Sequence, residues 1–326
     1  MRPCGGQQPK ETMTPVELGD VSTNLVWAAA TVYSVALVAY SLDLANLAAA
    51  PSRPIPAAGS TTAAEPPARR RSKPRGVAQS TTLLGLALHA LAVVLRGVAA
   101  ARAPWANMYE FTLVGTLVAV VVLVVVLRRR DLPFLGVIVT GFSVLALAVG
   151  LLVFYIQADG VQPALDTYWL VIHVGIAVAS TGVFTVAFAA SVLQLLRDSR
   201  DGGTSRMSGP GWRWLDSAPQ PRELEALSFR LNAVGFVLWT FTLIAGAIWA
   251  EHAWGRYWGW DPKEVWTFVI WVVYAAYLHA RTTRGWDGRR AAWFVVVGFG
   301  CVIANFTVVN LSFSGLHSYS GLTTGP

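Results

Sequence analysis

Phe111-Thr-Leu-Val-Gly-Thr-Leu-Val-Ala-Val-Val-Val-Leu-Val-Val-Val-Leu127 runs without a charge and stops at Arg128-Arg129-Arg130. A helix needs roughly 20 apolar residues to cross the hydrocarbon core of a bilayer, and this stretch with its flanks meets that length. Working outward, comparable segments lie at 22–49, 78–98, 133–156, 168–196, 230–250, 266–283 and 291–312; with 110–127 they make about eight. Backbone groups in lipid must be satisfied within the segment, so the spans are read as helices rather than strands. Composition agrees: of 326 residues, 54% are hydrophobic and 13% charged, against about 25% charged in a soluble domain. The fold class is therefore all-α, a polytopic integral membrane helix bundle of about eight transmembrane helices. Residues 1–77 hold an amino-terminal segment, the first span and a linker; residues 78–326 form the main membrane domain.

The formal net charge of +7 has a topological reading rather than a nucleic-acid one, because the basic residues sit between apolar runs and no aromatic-basic surface accompanies them. The linker 50–77 is rich in Pro, Ala and Ser and carries Arg69, Arg70 and Arg71. Arg128–Arg130, the arginines of 197–230 and those of 281–290 fall on the same side if every span is real. The positive-inside rule makes that side cytoplasmic, with the amino terminus, the loops 99–109, 157–167 and 251–265 and the carboxyl tail outside. Cys4 and Cys301 form no CxxC motif, so thiol redox chemistry is not expected. The first 20 residues contain no apolar core of the kind a signal peptide has, so the first span is expected to direct insertion.

The third outer loop reads Trp254-Gly-Arg256-Tyr257-Trp258-Gly-Trp260-Asp261-Pro-Lys263-Glu264-Val-Trp266, four tryptophans and a tyrosine in 13 residues. An interfacial aromatic belt scatters one or two such residues per helix end; this tract concentrates them. Gly255 and Gly259 allow close backbone approach. Large planar side chains suit a large planar apolar ligand, and Arg256 and Lys263 suit its carboxylates. Asp261-Pro262-Lys263-Glu264 reads as a capping box, with Asp at N-cap, Pro at N1 and Glu at N3, and that role is preferred over acid–base catalysis.

Five histidines occur: His89, His173, His252, His279 and His317. A histidine within a membrane span is costly and is a functional hypothesis, and imidazole is a common axial ligand of heme iron. His173 falls about one turn inside the outer end of its span and His317 just beyond the end of the last, both level with the tryptophan loop. For each alone the plain alternative is interfacial hydrogen bonding. His279 lies about 20 Å below the outer end of its span at 1.5 Å per residue, too deep for the same iron. His89 reads as a packed, hydrogen-bonded core residue and His252 as a solvated loop residue.

The tract resembles the WWD signature of heme-handling membrane proteins, in the form WGxYWxWDPKExW. Trp271-Val-Val-Tyr-Ala-Ala-Tyr-Leu-His279-Ala-Arg281 is similar to the following helix of the CcsA (ResC) family, and Asn310 through Gly315-Leu-His317-Ser-Tyr319 to its closing motif. Arg102-Ala-Pro104-Trp-Ala-Asn107-Met-Tyr109-Glu110 and Tyr168-Trp169-Leu-Val-Ile-His173 resemble its first outer loop and the segment bearing its first outer histidine. Val308 stands where that pattern has a glycine. The resemblance implies a subunit of the System II cytochrome c synthetase in the bacterial cytoplasmic membrane, a cytochrome c heme lyase active with its partner. Heme b would be the transported substrate and would be joined to the CxxCH cysteines of apocytochrome c on the outer face. His173 and His317 would be the outer iron ligands, and His279 the inner one. Trp254, Tyr257, Trp258, Trp260, Asp261 and Trp266, with Arg256 and Lys263, would form the platform in loop 251–266. Implied partners are a ResB/Ccs-type membrane protein, apocytochrome c and thiol-reducing thioredoxin-like proteins, with no nucleic acid. The alternatives are a heme transporter or chaperone without attachment activity, and a heme-free assembly scaffold.

Overall fold

The computed structural model describes residues 13–49, 72–160, 167–203, 207 and 209–317. Cys4, linker residues 50–71, most of the second outer loop and the tail beyond His317 lie outside the described residues. The helices are α1 (Pro15–Ala49), α2 (Lys73–Ala100), α3 (Met108–Arg129), α4 (Pro133–Leu152), α5 (Tyr168–Asp201), α6 (Pro221–Trp254), α7 (Pro262–Thr283) and α8 (Gly288–Ala304). A 3-10 helix, Pro210–Ser217, lies between α5 and α6. Beyond Ala304 the chain passes through a π turn, Asn305–Val309, into Asn310–Ser312. The ends follow local chemistry. Ser72, Asn107 and Thr167 cap α2, α3 and α5 through their side-chain oxygens, and α6 stops at Gly255 in the left-handed region, φ 69°.

Among the described residues, seven helices are long and apolar enough to cross a membrane, one fewer than the expected eight. The eighth, α7, has 22 residues, about 33 Å of helix, but Lys263, Glu264, His279 and Arg281 lower its apolarity. It joins α6 to α8 and packs against both. The tryptophan loop is also shorter than 251–266, because Glu251–Trp254 form the last turn of α6. Likewise 197–201 belong to α5 and 221–230 to α6, and 73–77 of the expected linker belong to α2. Helix continues wherever its backbone bonds can be kept, regardless of where side chains turn polar.

α5 is the most buried helix and packs against α3, α6 and α8, while α1 pairs with α2 and α4. Small residues permit these approaches. A Cβ on Gly136 would stand 2.6 Å from the Tyr40 ring, and one on Gly85 2.6 Å from that of Tyr33. One end of the bundle is arginine-rich and ion-paired: Arg289 with Asp198, Arg281 with Glu225, Arg200 with Asp216. The opposite end carries the tryptophan loop.

At that tryptophan end sits a buried ionic cluster. Glu110, fully buried, receives Arg96 Nε at 2.9 Å, Arg102 Nη1 at 2.6 Å and the Ala106 amide at 3.0 Å. Arg96 and Arg102 also donate to the carbonyls of Ile156 and Asp159. The cluster thus ties the loop 101–107 to the segment that follows α4. Removing the acid leaves the fully buried Arg96 uncompensated, which costs about 3–5 kcal/mol. Glu110→Ala is therefore expected to lower the thermal midpoint in detergent sharply, whereas a surface acid such as Asp216→Ala leaves it nearly unchanged.

Candidate functional site

Where α5 begins, His173 faces α6. Its Nδ1 lies 2.9 Å from the Thr242 carbonyl. A carbonyl only accepts, so Nδ1 carries the proton and Nε2 is the nitrogen with a free lone pair. One turn along α6, Gly246 is what admits the ring: a Cβ there would stand 2.7 Å from His173 Cε1.

His317 arrives from the tail after α8. Its Nδ1 lies 2.8 Å from Asp261 Oδ2, and the Leu316 amide donates to Asp261 Oδ1 at 2.7 Å. Asp261 also receives the Lys263 amide at 3.0 Å, and Glu264 Oε2 receives the amides of Asp261 and Gly259 at 3.1 and 2.8 Å. The capping box is present as expected, but Asp261 does more than cap α7: it pins the tail and orients His317. Burial raises the Asp261 carboxyl, but the His317 hydrogen bond and charge, with the Leu316 and Lys263 amides, outweigh it and hold the group below the usual carboxylate value.

The two imidazoles meet around Trp249 of α6, which is 1% exposed. The His173 ring is nearly parallel to the indole at 6.0 Å, and the His317 ring is edge-on to it at 5.5 Å and to Trp254 at 5.0 Å. Both histidines line one cavity of about 190 Å³. Its other walls are largely apolar and aromatic, including Trp105, Phe111, Trp239 and Phe306.

The tract divides around this cavity. Tyr257 and Trp258 line it and Trp254 packs behind His317. Trp260 stands 78% exposed, against Trp258 at 5.7 Å. Its φ is +60°, a conformation that bulky residues adopt only under constraint from their surroundings. Trp266 is half-buried on α7 and does not line the cavity. Arg256 is exposed with its guanidinium folded over Gly259. Lys263 lines the cavity and donates to the Asn305 carbonyl at 2.8 Å and to Asn310 Oδ1 at 2.7 Å.

The remaining histidines lie elsewhere. His279 is exposed on α7, 16 residues and so about 24 Å from Lys263 along the helix. His89 is fully buried with Nδ1 3.5 Å from the Tyr33 hydroxyl, the packed role expected of it. His252 is exposed as expected, but it belongs to the last turn of α6 rather than a loop, with Nδ1 on the Ile248 carbonyl. Trp249, Thr242 and Gly246 were not singled out from the sequence. Their spacing along α6 puts them on one helical face, and that face is the signal available beforehand.

Residues 105–317 match the family model described as Cytochrome C assembly protein. Two CcsA cytochrome c biogenesis proteins of Prochlorococcus marinus are similar. That of strain SARG is 32% identical over 71% of this chain and 80% of its own; that of strain MIT 9515 is 37% identical over 73% and 82%. This chain belongs to the CcsA family of cytochrome c assembly proteins. Its role is thus cytochrome c biogenesis in a membrane. Among solved structures, a cytochrome c heme lyase CcmF shares the fold, with a TM-score of 0.63 at 16% identity. The alignment covers 98% of this chain and half of that one. The family match begins at Trp105, so the tryptophan loop, both cavity histidines and α7 fall inside it, whereas α1 and α2 do not.

Proposed function

We propose that this CcsA-family chain carries heme b to the outer face of the bacterial cytoplasmic membrane and holds it there for covalent attachment to apocytochrome c, as a subunit of the System II synthetase. The observation that carries this reading is the pair of imidazoles. Each has Nδ1 engaged by an acceptor and Nε2 without a partner among the described residues, and both line one aromatic cavity. Histidines that bind a metal characteristically donate their second N–H to a carbonyl or carboxylate, which fixes the ring and raises its basicity. His173 has the carbonyl and His317 the carboxylate.

The chain's own residues then do three things. The imidazoles hold iron from both faces and exclude oxygen. Tyr257, Trp258 and Trp254 support the macrocycle and the exposed Trp260 extends the aromatic surface. The loop positions the vinyl groups where the thiols of a CxxCH segment arrive. Attachment adds S–H across each vinyl group: a C–S bond forms, the proton ends on the terminal carbon, and no net electrons are consumed. Positioning supplies most of the effect. The histidine of CxxCH can then replace one ligand and help release the product.

The arginine-rich end faces the cytoplasm by the positive-inside rule, which puts the tryptophan loop outside. His279, exposed on α7, would hold heme at an inner site with a second ligand from a ResB/Ccs-type partner. Thioredoxin-like reductants would keep the apocytochrome thiols free. The test is reconstitution in cells lacking their own pathway. The chain with its partner and an apocytochrome should yield heme-stained holocytochrome. Heme bound to the purified chain without attachment would instead favour a transporter or chaperone.

A further inference from the structure

Beyond the histidines, the polar lining of the cavity comprises Asn107, Thr242, Thr267, Glu264, whose Oε2 is held by the Gly259 and Asp261 amides, and a corner formed by Lys263, Asn305 and Asn310. α8 leaves regular geometry at the π turn Asn305–Val309, a distortion frequent at functional sites. The turn brings Asn305 and Asn310 to the cavity wall beside Lys263. Lys263 Nζ donates to the Asn305 carbonyl and Asn310 Oδ1, two neutral acceptors, which leaves its third N–H. No carboxylate lies within ion-pairing distance of Lys263 among the described residues. Asn305 is 6% exposed and its buried Oδ1 has no hydrogen-bond partner, nor does its side-chain amide donate to any described residue. Which end of that amide faces the cavity is free to exchange, so it can present N–H to an acceptor. A cation in an apolar cavity is stabilised by a counter-charge, and an unpaired buried amide is costly until it is paired.

We propose that Lys263 and Asn305 form an internal seat for one carboxylate of the ligand bound between His173 and His317. This rests on the heme reading above and deepens it. Arg256 lies outside the cavity over Gly259, so the carboxylate contact falls to Lys263 rather than to both basic residues of the loop. Seating a propionate at this corner orients the macrocycle. The carboxylate edge turns inward, and the opposite edge, which carries the vinyl groups, turns to the lip formed by Tyr257 and Trp258, where a thiol can reach it.

The test uses the purified chain with its partner, titrated with ferric protoheme and separately with its dimethyl ester, binding being read from the bis-imidazole absorption. The wild type is expected to prefer the free acid by roughly ten- to a hundred-fold, the range of a charge-assisted hydrogen bond. Lys263→Gln and Asn305→Leu should each reduce that ratio toward one while the bis-imidazole spectrum persists, and Lys263→Arg should largely restore it. A wild type that binds both probes equally overturns the seat, as does a preference that survives both variants. A wild type that gives no bis-imidazole spectrum with either probe overturns the heme reading itself.

Discussion

Replacing both His173 and His317 with alanine is expected to lower holocytochrome yield by at least about a hundredfold, since loss even of outer-shell partners of a metal ligand costs 10–100-fold. Protein level should stay near wild type. His173 gives up one hydrogen bond to Thr242 and His317 one to Asp261, and both rings border the cavity, so their truncation enlarges a space already present. Each single variant should recover part of its yield when imidazole is added, because the small ligand can occupy the space left by the side chain. Recovery should be weaker in the double variant, where the iron loses both protein anchors. Attachment that persisted in the double variant without imidazole would show that the iron is held by other groups.

The second large effect is expected at Asp261, and two substitutions separate its two roles. Asp261→Ala removes the N-cap of α7, worth about 1 kcal/mol, together with the acceptor of His317 and the Leu316 amide. Heme retention should fall by about 10–100-fold. Asp261→Asn keeps one capping oxygen for His317 and the Lys263 amide, and loses the charge and the acceptor of the Leu316 amide. Its stability should approach wild type, while the heme reduction potential rises because His317 becomes a weaker electron donor. The pH dependence has a definite sign. Asp261 is held below its usual value in the folded protein. Its contribution is complete above the unfolded carboxylate range near pH 4 and is lost as pH falls through the depressed value. Heme retention measured by absorbance after desalting should be flat with respect to Asp261 from neutrality to about pH 5 and should decline only in stronger acid. An Asp261→Asn protein whose potential and retention both match wild type would assign the residue to capping alone.

Much of this arrangement was legible in the chain because membrane helices declare themselves. A run such as Phe111–Leu127 bounded by Arg128 leaves the backbone one solution, and the capping box at Asp261 marks where α7 begins. The level of His173 and His317 with the tryptophan loop followed from counting spans. What could not be read was how far helices run past their apolar stretch: α6 continues through Glu251–Trp254, since exposed polar residues at a membrane surface do not break a helix. The second opaque feature was contact across sequence. The Asp261–His317 pair joins residues 56 apart, and a motif that reads locally as a complete capping box gives no sign of a distant partner. Trp249 was hidden for a related reason, being one tryptophan in an apolar span until the neighbouring helices surround it. The π turn that brings Asn305 to the cavity wall is a departure from α geometry that no residue in Asn305–Val309 demands by its own propensity.

One iron is expected to be held between His173 and His317 beside the tryptophan loop, and the coordination of heme in the chain purified with its partner reads this directly. Resonance Raman and low-temperature electron paramagnetic resonance should show a six-coordinate, low-spin bis-imidazole species. That species should convert to a five-coordinate or imidazole-rescuable form in either single alanine variant and should persist in Asp261→Asn with a shifted potential. A heme whose ligand signature is identical in wild type and in the His173→Ala, His317→Ala double variant would contradict it.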